Sequence, residues 1–216
     1  MAGERYRAPK LARGLSTPIG LILAVLVLLW AIEAADSALL GERLQAHGIG
    51  PRRIDGLEGI VLAPLLHGGF GHLLSNSVPF VALGWLVALR GIRYWLWVTV
   101  IAVVLGGGLT WLLAGGTNHI GASGVVFAYL GALLGGAFYD RRAQVLAPAL
   151  IAVLLYGGLL AGAVPQADVS WEGHLYGLVA GVLVARQLAE PPAEADPEAD
   201  GPQYPWEADE PWLDDE

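Results

Sequence analysis

Residues 121–139 read GASGVVFAYLGALLGGAFY. The stretch carries no charge and is built largely of glycine, alanine and branched apolar residues. A run of about 20 such residues is what a helix needs to cross a bilayer. Ser123 stands near its start. A second run, residues 171–188, reads WEGHLYGLVAGVLVARQL and places His174 near its own start. A polar side chain at membrane depth is costly, so by default it marks a function with a partner to be named. A serine and a histidine meeting at one depth suggest a nucleophile and its base.

The rest of the chain has the same character. Of its 216 residues 55% are hydrophobic, above the roughly 45–50% of soluble domains. Further apolar runs fall at about 18–40, 72–89, 94–115 and 143–164, which makes six. Helices are expected throughout, because lipid leaves a backbone no partner outside itself, and no run alternates as a barrel strand must. Pro79 and Pro148 are tolerable inside such helices. A basic lead before an apolar run is also the plan of a signal peptide; here the run is too long and no small-x-small site follows. The connection at about 41–71 includes a semi-apolar stretch, 56–66, that is too short to cross and is expected at the interface. The expected organisation is a basic terminus (1–15), a six-span membrane domain (16–189) and a tail (190–216).

The net charge of −8 comes from that tail, which holds eleven acidic residues and neither Lys nor Arg; without it the balance is +3. Its prolines and low hydrophobicity predict disorder. Trp206 and Trp212 interrupt the acids, so a solvating tail and a docking motif for a cytoplasmic partner both stay open. No dense basic patch exists, which argues against nucleic acid. No cysteine is present, which excludes disulfides and thiolate chemistry.

Lys and Arg set the orientation. With the N-terminus cytoplasmic, Arg5, Arg7, Lys10, Arg13, Arg90, Arg93, Arg141, Arg142 and Arg186 lie inside. Only Arg43, Arg52 and Arg53 then lie outside, all in the first connection. Both termini are thus expected in the cytoplasm. The second, fourth and sixth spans then run inward from the outer face. His72 and Asn76 open the second, Ser123 the fourth and His174 the sixth, so all four converge within about two helical turns. His72 and Asn76 share a face at i, i+4 and offer N–H donors to a developing oxyanion; as a plain alternative they cap the span. The Ser123 N–H, at a helix start, is a further donor. Gly124, Ala128, Ala132 and Gly136 on one span, and Gly173, Gly177 and Gly181 on another, are small-residue stripes that let two helices touch.

These pieces together resemble the rhomboid intramembrane serine proteases. The matching motifs are His67 with His72-Leu73-Leu74-Ser75-Asn76, then Gly121-Ala122-Ser123-Gly124, then His174-Leu175-Tyr176-Gly177 with Gly181. The likeness covers about residues 15–189. It implies an all-α, six-helix bundle of bacterial type, in the plasma (inner) membrane, with a Ser123–His174 dyad and no acid member or cofactor. His72, Asn76 and the Ser123 N–H would bind the oxyanion, with Gly121, Phe127, His67 and Gly177 in support. Gly121 would leave room for backbone near the scissile bond. Substrates would be single-span membrane proteins, within a setting of membrane lipids, cut near the outer surface. Some rhomboids carry tyrosine where this chain has Phe127, which keeps the aromatic face. The Trp-Arg pair of some first outer loops is absent.

Other groups fit less well. His67 is expected to shape the outer loop through hydrogen bonds. His119 reads as a loop residue satisfying backbone or touching substrate, and His47 as ordinary loop. Asp168 and Glu172 flank His174, but their surface position argues against a triad acid. Glu33 and Asp36 read as interfacial. No HExxH or other close ligand spacing exists, which disfavours a metalloprotease. A catalytically idle rhomboid-like protein that binds membrane clients is the main rival. A transporter would show repeats and mid-membrane polar residues, and neither is seen.

Overall fold

The computed structural model describes residues 10–116, 118–140, 142–166 and 169–189, with side chains from Thr17 onward. The tail (190–216), Arg5, Arg7, Arg141 and Asp168 lie outside the described residues. Among the described residues every regular element is helical, and the one β contact is an isolated antiparallel bridge between Ile49 and His119.

Six long helices organise the described residues. Helix α1 spans Lys10–Ala35 and ends in a π turn, Asp36–Leu40. Helix α2 is Phe70–Ala88. Helix α3 runs Ile92–Leu113 and is loosened midway by a π segment, Ala102–Gly106. Helix α4 is Ser123–Tyr139. Helix α5 is Ala143–Tyr156 and tightens into 3-10 form over Gly157–Ala163. Helix α6 is Trp171–Gln187. Four of these segments, Thr17–Leu40, Phe70–Ala88, Ile92–Leu113 and Ala143–Ala163, are long and apolar enough to cross a membrane; Ser123–Tyr139 is apolar but shorter. The protein is a multi-pass helical membrane protein.

The shortness of α4 follows from its place. Its 17 residues cover about 25 Å at the helical rise, less than a hydrocarbon core of about 30 Å. It has little lipid to match, because nearly all of it from Val125 to Gly136 is buried among its neighbours. Its closest partner is α6. A Cβ on Gly177 would overlap the Gly124 carbonyl, one on Gly181 the Ala128 carbonyl, and one on Gly131 the Leu178 carbonyl. Gly135 completes the seam against Ala185 and Val182. The i, i+4 stripe expected on α4 thus drifts: at 3.6 residues per turn its face passes to Gly131 and Gly135. Gly136 instead faces Val145 and Arg90. Gly173 faces Ser170 and Thr110.

The first connection is ordered. Ile54–Gly56, Gly59–Leu62 and Ala63–Leu65 form short helical turns that dock on the end of α3. Arg52 Nη1 donates to the Ala114 carbonyl at 2.6 Å, and Trp111 Nε1 donates to the Arg53 carbonyl at 2.7 Å. Glu33 and Asp36, at the end of α1, are 2% and 3% exposed, and Asp36 Oδ1 accepts the Leu44 N–H at 3.1 Å. Covering the α1 end while supplying backbone donors makes burial of that carboxylate affordable.

At the opposite end Asp140 collects two arginines. Arg142 Nη2 lies 2.6 Å and Arg90 Nη2 3.7 Å from its Oδ2. The hydrogen-bonded Arg142 guanidinium holds the Asp140 carboxyl below its ordinary value. Arg90 also sits over the Tyr94 ring, 4.1 Å from its centroid.

Candidate active site

Ser123 is the first residue of α4, and His174 lies in the first turn of α6. The glycine seam brings these starts together, and the Ser123 Oγ–His174 Nε2 distance is 2.8 Å. The other ring nitrogen, Nδ1, lies 2.8 Å from the Gly162 carbonyl. A carbonyl only accepts, so Nδ1 carries the proton and Nε2 presents its lone pair to the serine hydroxyl. That is the tautomer a general base needs. Phe127 lies flat on the imidazole, with centroids 4.3 Å apart and planes 6° from parallel. The ring is therefore held at both nitrogens and on one face.

Glu172 does not reach His174. Its Oε1 accepts the Gly115 N–H at 3.1 Å. The place an acid would take in a triad is filled by Gly162, at the 3-10 end of α5. Sequence reasoning missed it, because a backbone acceptor leaves no side-chain signal; the glycine-rich run 157–162 was the only hint.

His72 stands across from the serine. Its Nδ1 accepts the Gly68 N–H at 3.2 Å, which leaves the proton on Nε2. That nitrogen faces Gly121, where a Cβ would sit 2.8 Å from both Cε1 and Nε2. Gly121 also has φ +111°, a region in which L residues are strained. Its role is thus more specific than room for substrate: it lets the His72 ring lie against the loop that enters Ser123. Asn76 is buried and spends one amide N–H on the His72 carbonyl at 3.0 Å. The second N–H is left for the cleft. The Ser123 N–H lies in the first turn of α4, where donors lack a carbonyl within the helix.

His67, 1% exposed, supports the same loop from below. Its Nε2 accepts the Ala122 N–H at 3.3 Å, and its ring meets that of His72 edge-on at 5.2 Å. Burial, with the neighbouring His72 adding, pushes its pKa down to about 4, so at neutral pH it is the uncharged acceptor this bond requires. The Gly121 N–H is held by the Ala63 carbonyl at 2.9 Å. Gly177 has no direct part in the site; it sets the approach of α6.

A cleft of about 450 Å³ runs past these groups, lined by His72, Asn76, Ser123 and His174. Pro79 of α2 and Leu159 of the α5 end also line it. His119 is not a free loop group. It is 8% exposed and bound at both ring nitrogens.

Fold and site together define a class: a multi-pass helical membrane protein with a serine and a histidine paired between two helices. The sequence profile of the Rhomboid domain matches residues 56–191, and the chain belongs to the rhomboid family. An uncharacterized protein of Mycobacterium tuberculosis (strain H37Rv) is 41% identical over 184 residues, covering 81% of this chain and 76% of the relative. One from Mycobacterium leprae is 37% identical over 180 residues, covering 79% and 71%.

Proposed function

We propose that this protein is an intramembrane serine endopeptidase using a Ser123–His174 dyad. The observation that carries the reading is the 2.8 Å Ser123–His174 contact with the imidazole proton fixed on the far nitrogen by Gly162. Ser123 Oγ attacks the scissile carbonyl while its proton passes to His174 Nε2. His72 Nε2–H, the free Asn76 N–H and the Ser123 N–H face the oxyanion, each such donor lowering the barrier by on the order of 2.7–4 kcal/mol. His174 then gives its proton to the leaving amine. Water, activated by the same nitrogen, releases the acyl group from Ser123.

The membrane setting belongs to the same reading. The domain at 16–189 crosses six times, with α6 as the sixth span and both termini in the cytoplasm, and the plasma membrane is its site. The substrates are single-span membrane proteins, entering the cleft between α2 and the α5 end and cut near the outer surface. Lipids are its surroundings, and the acidic tail at 190–216 is the face it offers to a cytoplasmic partner.

The test is labelling by a fluorophosphonate probe, whose phosphorus is attacked by an activated serine with loss of fluoride. Wild type is expected to label, with Ser123→Ala and His174→Ala silent. Labelling that persists in Ser123→Ala puts the nucleophile elsewhere. A folded wild type that never labels favours an idle client-binding protein.

A further inference from the structure

One turn outward of the dyad stands a second serine–histidine pair with the helices exchanged. His119 precedes Ser123 by four residues and Ser170 precedes His174 by four, so each pair is separated by 51 residues. His119 Nε2–H donates to the Gly115 carbonyl at 2.8 Å. That leaves Nδ1 as an acceptor, and the Ser170 hydroxyl donates to it at 2.5 Å. The Gly115 N–H in turn donates to Glu172 Oε1 at 3.1 Å. The start of α6 therefore holds Gly115 and His119 through Glu172 and Ser170 together. The backbone of His119 is tied to the outer connection by reciprocal bonds with Ile49 at 2.9 and 3.0 Å. Ser170 also stands at the N-cap position of the helix that carries the base, and its carbonyl accepts the first helical bond, from the His174 N–H, at 3.1 Å.

The seam between α4 and α6 explains why such a link matters. Glycine and alanine allow close approach, and the seam fixes how near the helices lie along their length. The His119–Ser170 bond ties together the two segments that lead into the seam's outer end. Ser123 and His174 sit at its outer end, and a slip of about 1 Å at a reacting pair can cost on the order of 100-fold in rate.

We propose that His119 and Ser170 are positioning residues that lock the axial register of α6 against α4, and with it the Ser123–His174 alignment. The catalytic consequence rests on the serine peptidase reading; the cross-link itself does not. Two measurements on the full-length protein in detergent separate them. The first is the rate of fluorophosphonate labelling at Ser123. Ser170→Ala and His119→Ala are each expected to slow it by about 10–100-fold, with unfolding temperature confirming an intact fold. Ser170→Thr, which keeps the hydroxyl, restores it. The double alanine variant is no slower than the worse single one, because the two act as a unit. The second uses the absence of cysteine: spin labels on Phe138→Cys and Val179→Cys report the α4–α6 distance. Ser170→Ala is expected to broaden or shift that distribution whether or not the protein labels. Wild-type labelling rates in both alanine variants overturn the proposal. An unchanged spin-label distribution overturns it too, including where wild type never labels and the peptidase reading has itself failed.

Discussion

Gly121→Ala probes the proposed oxyanion side of the site from the His72 face. A Cβ there would lie 2.8 Å from His72 Cε1 and Nε2, against an ordinary carbon contact of about 3.5 Å. The His72 ring or the loop must therefore yield by about 0.7 Å. Neither has slack. The ring is held by the Gly68 N–H on Nδ1 and by the edge of His67, and the loop by the Gly121 N–H to Ala63 and the Ala122 N–H to His67. The φ of +111° adds backbone strain of about 1–3 kcal/mol for a residue with a side chain. The expected outcome is a labelling rate at Ser123 lower by about 10²–10³, the loss seen when one oxyanion donor is removed. Unfolding should cost only about 1–3 kcal/mol. The assay pairs fluorophosphonate kinetics with thermal unfolding, and His72→Ala serves as the reference for losing the donor outright. Wild-type kinetics with an unchanged unfolding temperature would falsify the contact between Gly121 and His72.

Glu172→Gln keeps the oxygen that Gly115 uses and removes the charge, so labelling is expected within about two-fold of wild type; a loss near the 10⁴ typical of a missing triad acid would make Glu172 the acid after all. Arg90→Ala withdraws a guanidinium from buried Asp140 and from Tyr94, and is expected to cost about 1–3 kcal/mol; denaturation at the wild-type midpoint would show the Asp140 cluster to be idle. His67 titrates near 4 when folded against an ordinary 6.5. Below about 6.5 the unfolded chain takes the proton first, so folding stability is full above that pH and falls as pH drops toward 4, by up to about 3 kcal/mol. His67→Gln should remove this component, and parallel pH profiles of the two proteins would refute it.

The sequence carried the helices and the Ser123–His174 pairing for a physical reason. Spans in lipid are long uniform runs, and the few polar groups within them stand out. Ser123, His174, His72 and Asn76 were legible because orientation by arginine put them at one end of three parallel runs. The loop chemistry was not. Gly162 acts through a carbonyl, which every residue owns. His119 read as a loop residue satisfying backbone or touching substrate, and Ser170 drew no reading, because their partnership depends on how α6 begins against His119. The burial of Glu33 and Asp36 was not legible, because the Leu44 N–H that meets Asp36 comes from the connection beyond the helix. The seam residues Gly131 and Gly135 were missed by following a strict four-residue stripe past the point where the helix had turned away.

The acceptor on His174 has a consequence of its own. A carboxylate in that place would follow its own side chain, but the Gly162 carbonyl is part of the α5 end, and Leu159 of that same 3-10 segment lines the cleft. The acceptor therefore moves only with the backbone of the α5 end, and under the proposed peptidase reading a displacement of that end would release Nδ1 and with it the fixed tautomer.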